Sequence, residues 1–189
     1  GVGNDDDRAI GEVLREHLRR QGLPADSGVS LRWVSVRFLG VPVVFPNFDA
    51  RRAILVVHDV HHLLTGYATT WRGEGEIGGF EIATGCRHYW AAWLFNFGGF
   101  LFGLCIAPRR TWYAFVRGRH CRNFYGVPDG EVLQRTVAHG RAELGIDRAV
   151  PAGTLPDALA FAGWCVLVVV TIAALPIAAL AMMVSLLRG

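Results

Sequence analysis

The chain has 189 residues, of which 52% are apolar, and this length suits one compact domain with an appendage. Its formal net charge is only +3, which gives no argument for a nucleic-acid partner. All 19 basic residues are arginine, which excludes Schiff-base chemistry and a lysine general base. The four cysteines form no C-x-x-C pair, so neither a zinc ribbon nor a disulfide framework is expected, and a reducing compartment suits the pattern.

The N-terminal part of the chain predicts an amphipathic helix behind a run of three aspartates. Apolar residues recur at Ile10, Val13, Leu14 and Leu18, which is the spacing of one helix face, and the aspartates lie where the helix dipole favours anions. His17 falls on the apolar stripe and is interpreted as structural. The first residues shown, GVGNDDDRAI, lack the apolar core of a signal peptide.

A short β-hairpin is expected near residues 29–45. Apolar and polar residues alternate from Val29 to Trp33 and again, in shifted phase, from Val34 to Phe38. A β-bulge at the shift, or two short strands, would explain the change of phase. The following segment, LGVPVVF, would supply the partner strand.

The next segment, FPNFDARRAILVVHDVHHLLTG, predicts a helix. Asn47 or Asp49 is its expected N-cap, and Gly66 is its expected stop. A further helix is expected to begin around Glu74.

Nineteen uncharged residues, many of them aromatic, run from Tyr89 to Ala107. A buried core helix is the preferred interpretation because the domain needs a centre; the alternatives are a membrane-dipping segment and the wall of a pocket for an apolar chain. The segment from Arg109 to Arg122 interleaves arginines with aromatics, which is typical of a solvated helix face and, beside a membrane anchor, also suits anionic headgroups. EVLQRTVAHGRAELGI predicts a last amphipathic helix.

The thirty residues from Ala158 to Leu187 carry no charge. A helix needs about 20 apolar residues to cross a bilayer core, and a buried core helix, the alternative, rarely lacks any polar face over such a length. We therefore expect a mainly α, compact helical domain over 1–147, a Pro/Gly linker over 148–157, and a single-pass C-terminal transmembrane helix over 158–187. The arginines before the anchor favour a cytoplasmic domain.

Protonatable side chains are concentrated in HDVHHLLTGYATTWRGEGE, from His58 to Glu76. On a helix His58 and His62 share a face, and Asp59 lies three residues before His62, so the three can converge. Two imidazoles and a carboxylate suit a divalent ion such as zinc, cobalt, manganese or iron. A fourth ligand would come from the next element, where Glu74 and Glu76 are both candidates.

Other interpretations of this stretch compete with a metal site. The histidines could decorate a helix while the acids pair with arginines, and His61 is interpreted as decoration or as support for the ligands. Zincin metalloproteases use H-E-x-x-H with Glu as the base, whereas Asp59 stands here and no third ligand follows in their spacing. HDVHH also matches the H-x-x-H-H box of membrane di-iron hydroxylases, but those enzymes need several such boxes and the other four histidines here are scattered singly.

The third match extends over most of the domain. His58-Asp59-x-x-His62 is followed by eleven residues, LLTGYATTWRG, and then Glu74. With its flanking LLTGY, FE, RGRHCRNFYGV and AELGI segments, the chain over about residues 25–147 resembles the metalloprotein family of the coenzyme Q (ubiquinone) biosynthesis complex, the fourth of the Coq proteins. The C-terminal anchor is an addition to that family's pattern.

The resemblance implies a largely helical fold in which His58, Asp59, His62 and Glu74 bind the metal, leaving Glu76 for solvent or for an arginine such as Arg72. It implies a metal-dependent decarboxylase/hydroxylase of the lyase type. Its substrate would be a polyprenylated 4-hydroxybenzoate-type precursor, whose C1 carboxyl is exchanged for a hydroxyl at the membrane. The implied partners are this aromatic substrate, membrane lipids and other quinone-biosynthesis proteins.

Two questions stay open at this point. The run from Tyr89 to Ala107 could form a wall for the prenyl tail, with Arg109 or Arg110 meeting an anionic head. The protein could also be a non-catalytic scaffold or lipid-binding subunit with a structural metal. Two histidines, an aspartate and a glutamate would close a tetrahedron, so the number of ligands does not decide between the two.

Overall fold

The structure, a computed structural model, describes residues 5–38, 41–150 and 152–188. These residues form a mainly α fold, as predicted from the sequence, with one small hairpin. In chain order the elements are a 3-10 turn at Asp5–Asp7, α1 (Ile10–Arg20), β1 (Trp33–Phe38), β2 (Val41–Pro46), α2 (Asp49–Thr65), α3 (Trp71–Thr84), α4 (Trp90–Ile106), α5 (Pro108–Arg119), α6 (Asp129–Gln134), α7 (Val137–Leu144) and α8 (Leu155–Arg188).

The hairpin is regular, so both explanations of the phase change, a β-bulge and two short strands, are wrong. The two strands pair antiparallel from Trp33 opposite Pro46 to Phe38 opposite Val41. The shift of phase marks the start of β1, because residues 29–30 lie in a turn rather than a strand. The connection over 39–40 lies outside the described residues.

α2 ends where the sequence predicts and begins differently. Gly66 adopts the left-handed conformation (φ 76°) that terminates a helix, and its N–H bonds the carbonyl of His62. The residue at the N-cap is Phe48, without a side-chain hydrogen bond, so the expectation of Asn47 or Asp49 is wrong. Asn47 instead donates to the carbonyls of Gly28 and Leu31, fixing the loop before the hairpin onto the start of α2.

α3 is the centre of the domain and touches its neighbours backbone to backbone. A Cβ added at Gly75 would lie 2.4 Å from the Cα of Gly103 in α4. A Cβ added at Gly118 in α5 would lie 2.5 Å from the carbonyl oxygen of Phe80 in α3. Any side chain at these positions would separate the helices, so the glycines set the close α3–α4 and α3–α5 spacing.

α4 is a core helix on one side only. It buries Asn96, Phe97 and Phe100, whereas Trp90 and Phe95 are exposed. The preferred sequence interpretation therefore holds for its inner face, and its outer face carries no charged residue and is partly exposed.

The predicted last amphipathic helix is two helices. α6 ends at Gln134 and α7 begins at Val137, with Thr136 between them. Thr136 forms an isolated β-bridge with Ala9, and its hydroxyl accepts a hydrogen bond from the N–H of His139. Both contacts need extended backbone at this point, which breaks the helix.

α8 is the one helix in the described part of the chain that is long and apolar enough to cross a membrane. It begins at Leu155, inside the segment predicted as linker, and continues through Pro176. Its first turns pack on the domain: Trp164 stacks on Trp93 of α4 at 5.4 Å, and Phe161 meets Phe115 of α5 at 5.2 Å.

Candidate metal centre

Three of the four predicted ligands converge. His58 and His62 project from one face of α2, and Glu74 projects from the first turn of α3. One ligand atom of each side chain lies within 4.8 Å of the others. The two helices meet here because Gly66 stops α2, and Thr70 starts α3 by accepting a hydrogen bond from the N–H of Gly73.

His62 is oriented as a metal ligand would be. Its Nδ1 donates to the carbonyl of Tyr67 at 2.9 Å, so in the neutral ring the lone pair is on Nε2. Nε2 is buried, has no hydrogen-bond partner among the described residues, and lies 3.4 Å from Oε1 of Glu74. A buried nitrogen lone pair without a donor is costly unless something occupies it, and a cation would do so.

His58 presents the same atom to the same point. Its Nε2 lies 3.6 Å from Oε2 of Glu74, and its Nδ1 lies 3.3 Å from both carboxylate oxygens of Glu81. A carboxylate that accepts from the far nitrogen of an imidazole is the usual support of a metal-bound histidine. Both imidazoles therefore turn Nε2 towards Glu74.

Glu81 lies fully buried behind the ligands and is held by four side chains. His61 donates to it at 2.7 Å, Tyr125 at 2.6 Å and Asn96 at 2.5 Å, in addition to His58. His61 accepts the N–H of Phe124 on its other nitrogen at 3.0 Å, so the imidazole is neutral. His61 is thus a supporting residue and not decoration.

The charges at this point favour a cation. Burial alone raises the pKa of Glu81, but the charge of His58 and the hydrogen bonds from His58 and His61 outweigh it, and the pKa lies well below its usual range. Burial likewise raises the pKa of Glu74, but the two facing imidazoles of His58 and His62 outweigh it and bring that pKa below its usual value. For His58, burial lowers the pKa, whereas Glu81 and Glu74 raise it well above its ordinary value. One fully buried carboxylate, Glu81, and one half-buried carboxylate, Glu74, facing two imidazoles form a site that a divalent ion would neutralise.

Asp59 lies outside the group of converging ligands. Burial is the main cause of its raised pKa, opposed by the charge of His58 and by the hydroxyl of Ser27. Glu76 is turned away from the site: it is buried and accepts a hydrogen bond from Nε of Arg110 at 3.0 Å. Glu76 therefore pairs with an arginine, as expected, although that arginine is Arg110 rather than Arg72.

Sequence reasoning did not assign a role to Glu81, Asn96 or Tyr125. A signal for Glu81 exists, because it follows Glu74 by seven residues, two helical turns on the same face of α3. Asn96 and Tyr125 carry no such signal, since only the folded chain brings α4 and the segment after α5 to this carboxylate.

The predicted anion-binding arginines lie at another place on the surface. Arg109 and Arg110 line an open pocket of about 320 Å³ together with Arg72 and Ile106, where α4 ends and α5 begins. All three arginines are exposed, so the pocket can attract an anion from solvent.

No family model, curated protein or solved structure matches this chain.

Proposed function

We propose that this protein is a metal-dependent enzyme of ubiquinone biosynthesis that replaces the C1 carboxyl of a polyprenylated 4-hydroxybenzoate-type precursor with a hydroxyl. The single observation that supports metal-dependent chemistry is the convergence of His58, His62 and Glu74, with Nε2 of His62 lacking a hydrogen-bond partner among the described residues. The choice of pathway rests on the resemblance of the H-D-x-x-H, eleven-residue, Glu motif.

Three convergent ligands favour a catalytic centre over a structural one. Structural zinc sites are closed by four protein ligands, whereas catalytic sites keep a position for water or substrate. Two histidines and one carboxylate also form the ligand set of non-haem iron oxygenases. With Asp59 outside the converging group, a closed four-ligand structural site has less support than an open one.

A bound metal would polarise the substrate carboxylate or phenolate and, if redox-active, supply the chemistry of dioxygen. The protein residues hold the reaction geometry: His58 and His62 are fixed by Glu81 and Tyr67, and Glu74 is fixed by the first turn of α3. In the overall exchange one oxygen atom from dioxygen enters the ring and carbon dioxide leaves. Without an external reductant the balanced products are the quinone, carbon dioxide and water.

The membrane is the source of the substrate in this proposal. α8 is long enough to anchor the protein, and we place the domain on the cytoplasmic side as a single-pass, C-terminally anchored enzyme. The uncharged α4 would border the prenyl chain, and the pocket of Arg72, Arg109 and Arg110 would attract anionic groups.

The matched pair Glu74→Gln and Glu76→Gln tests the metal centre. Each change keeps the side-chain shape and removes one charge. Glu74→Gln is expected to lower metal affinity about 10–100-fold, because a converging anionic ligand is lost. Glu76→Gln changes an ion pair with Arg110 on another face and is expected to retain the metal. Elemental analysis of full-length protein gives both the stoichiometry and the identity of the ion.

Turnover tests the proposed reaction. Full-length protein in lipid vesicles, loaded with the ion that elemental analysis finds, is mixed with prenylated 4-hydroxybenzoate under air or under nitrogen. Because the mixture contains no reductant, we expect carbon dioxide release and the quinone only under air, and only with Glu74 intact; an added reductant should give the hydroxylated ring instead. If the protein binds the prenylated acid tightly but does not turn it over with any tested ion, the enzyme proposal is refuted and the lipid-binding scaffold is supported.

A further inference from the structure

α8 contains two physically different parts. Its first part, residues 155–168, which we call the stem, belongs to the domain: Asp157 is buried and pairs with Arg119 at 2.5 Å, and Val168 is fully buried. Within the stem, Phe161 packs against Phe100 at 5.4 Å. Beyond the stem most of the helix is exposed.

The length of α8 agrees with this division. The apolar span from Leu155 to Leu187 has 33 residues, about 50 Å at 1.5 Å per residue. A bilayer core is about 30 Å thick, so about 20 Å, or roughly 13 residues, is surplus. The stem accounts for that surplus, and residues 169–187 are just long enough to span. A spanning helix without slack places the domain directly on the bilayer surface.

α4 is the part of the domain that this geometry brings to the bilayer. It carries no charged residue, it packs on the stem through Trp93, and its outer side exposes Trp90, Phe95 and Cys105. Exposed arginines follow it at the pocket where α5 begins, and Arg87 precedes it. An apolar face with cationic ends is complementary to the acyl boundary and to anionic headgroups.

From these observations we propose that the outer face of α4 is a bilayer-docking surface, held against the lipid by the stem of α8. This inference rests on the membrane placement in the proposed function. It adds that α4, whose inner face carries Asn96 of the Glu81 network, lies in the interface itself.

The exposed Cys105 is a natural position for a probe. Cys121→Ser and Cys165→Ala leave Cys105 as the accessible thiol, because Cys86 is buried. One full-length protein carries a nitroxide at Cys105, and a second, which lacks Cys105, carries it at Arg19→Cys on α1. Both are placed in vesicles of phosphatidylcholine and phosphatidylglycerol and compared. Collisions with oxygen report lipid, and collisions with a water-soluble nickel chelate report solvent.

The docking surface predicts more oxygen collisions and fewer nickel collisions at Cys105 than at the α1 position. Gly98→Glu adds a charge to the same side of α4, at a position where an added Cβ meets no described atom within 4 Å. The charge should weaken docking and raise nickel collisions at Cys105, whereas the uncharged control Gly98→Gln should change them less. Equal nickel collisions at both labels would overturn the proposal. Spin–spin broadening that disappears on dilution with unlabelled protein would show a second copy on this face instead of lipid, and would also overturn it.

Carbonate extraction separates this inference from the anchor on which it rests. Protein that carbonate releases has no spanning helix, and the membrane placement itself is then wrong. Protein that resists carbonate but exposes Cys105 to the nickel chelate has the anchor without the docking surface.

Discussion

The close approach of α3 and α4 predicts opposite effects for two glycine substitutions in the same helix. Gly103→Ala would place a methyl group 2.6 Å from the Cα of Gly75 and 2.5 Å from Oγ1 of Thr111. Carbon atoms in contact prefer about 3.5–4.0 Å, so α3 and α4 would have to separate by about 1 Å. The methyl group of Gly98→Ala meets no atom of the described residues within 4 Å.

The expected magnitudes follow from these distances. Overpacking costs about 1–3 kcal/mol, and Gly103→Ala should lie at the upper end because one obstacle is backbone, which no rotamer change can move. Gly98→Ala should instead stabilise by roughly 0.5–1 kcal/mol, the ordinary gain of alanine over glycine in a helix. Because Glu74 directly precedes Gly75, the displacement in Gly103→Ala should also weaken metal binding by about tenfold.

Denaturant unfolding of detergent-solubilised, full-length protein, followed by circular dichroism, measures the two stabilities, and metal titration measures affinity. The reasoning is refuted if Gly103→Ala is as stable as Gly98→Ala and binds metal as tightly as the unaltered chain. Such a result would mean that α3 and α4 are not in backbone contact.

Three further predictions concern the site and the stem. Glu81→Gln should reduce metal affinity about 10–100-fold by titration, although Glu81 is no ligand, because His58 loses the anionic acceptor that orients it. The metal-free protein should lose thermal stability as pH rises through the raised pKa of His58, because the stabilisation by protonated His58 is complete only below the ordinary pKa of about 6.5. Metal affinity should instead rise with pH, because protons stop competing for His58. A melting temperature of the metal-free protein that climbs over that pH range would contradict this prediction. A chain ending at residue 154 should be less stable by about 3 kcal/mol than one ending at 172, because it loses the burial of Phe161 and Val168. Both shortened chains should leave the membrane fraction. Equal denaturation midpoints would show that the stem is not part of the domain.

The local parts of the site could be predicted from the sequence. Residues one helical turn apart share a face whatever the tertiary structure, so the pairing of His58 with His62 follows from spacing alone. Gly66 ends α2 because left-handed backbone favours glycine, which is also a local property. The motif spacing separates Glu74 from Glu76, and in the structure only Glu74 joins the histidines.

The rest depends on contacts between distant segments. The bridge between Ala9 and Thr136 interrupts a helix whose own periodicity is unbroken, and no local signal predicts it. The amphipathic pattern of α3 is weak because glycines, rather than large apolar side chains, face its neighbours. From the sequence, most of the stem of α8 was assigned to the anchor, because the same apolar residue types are buried in a protein core and in lipid.

The Glu81 network also sets an order of assembly. The N–H of Phe124 reaches His61 across 63 positions of sequence, and the hydroxyl of Tyr125 reaches Glu81 across 44. A nascent chain that stops before Phe124 therefore holds every converging ligand but lacks two of the groups that orient their support. Metal acquired at that stage would meet loosely held imidazoles, so tight loading must wait until about two-thirds of the polypeptide has been made and folded.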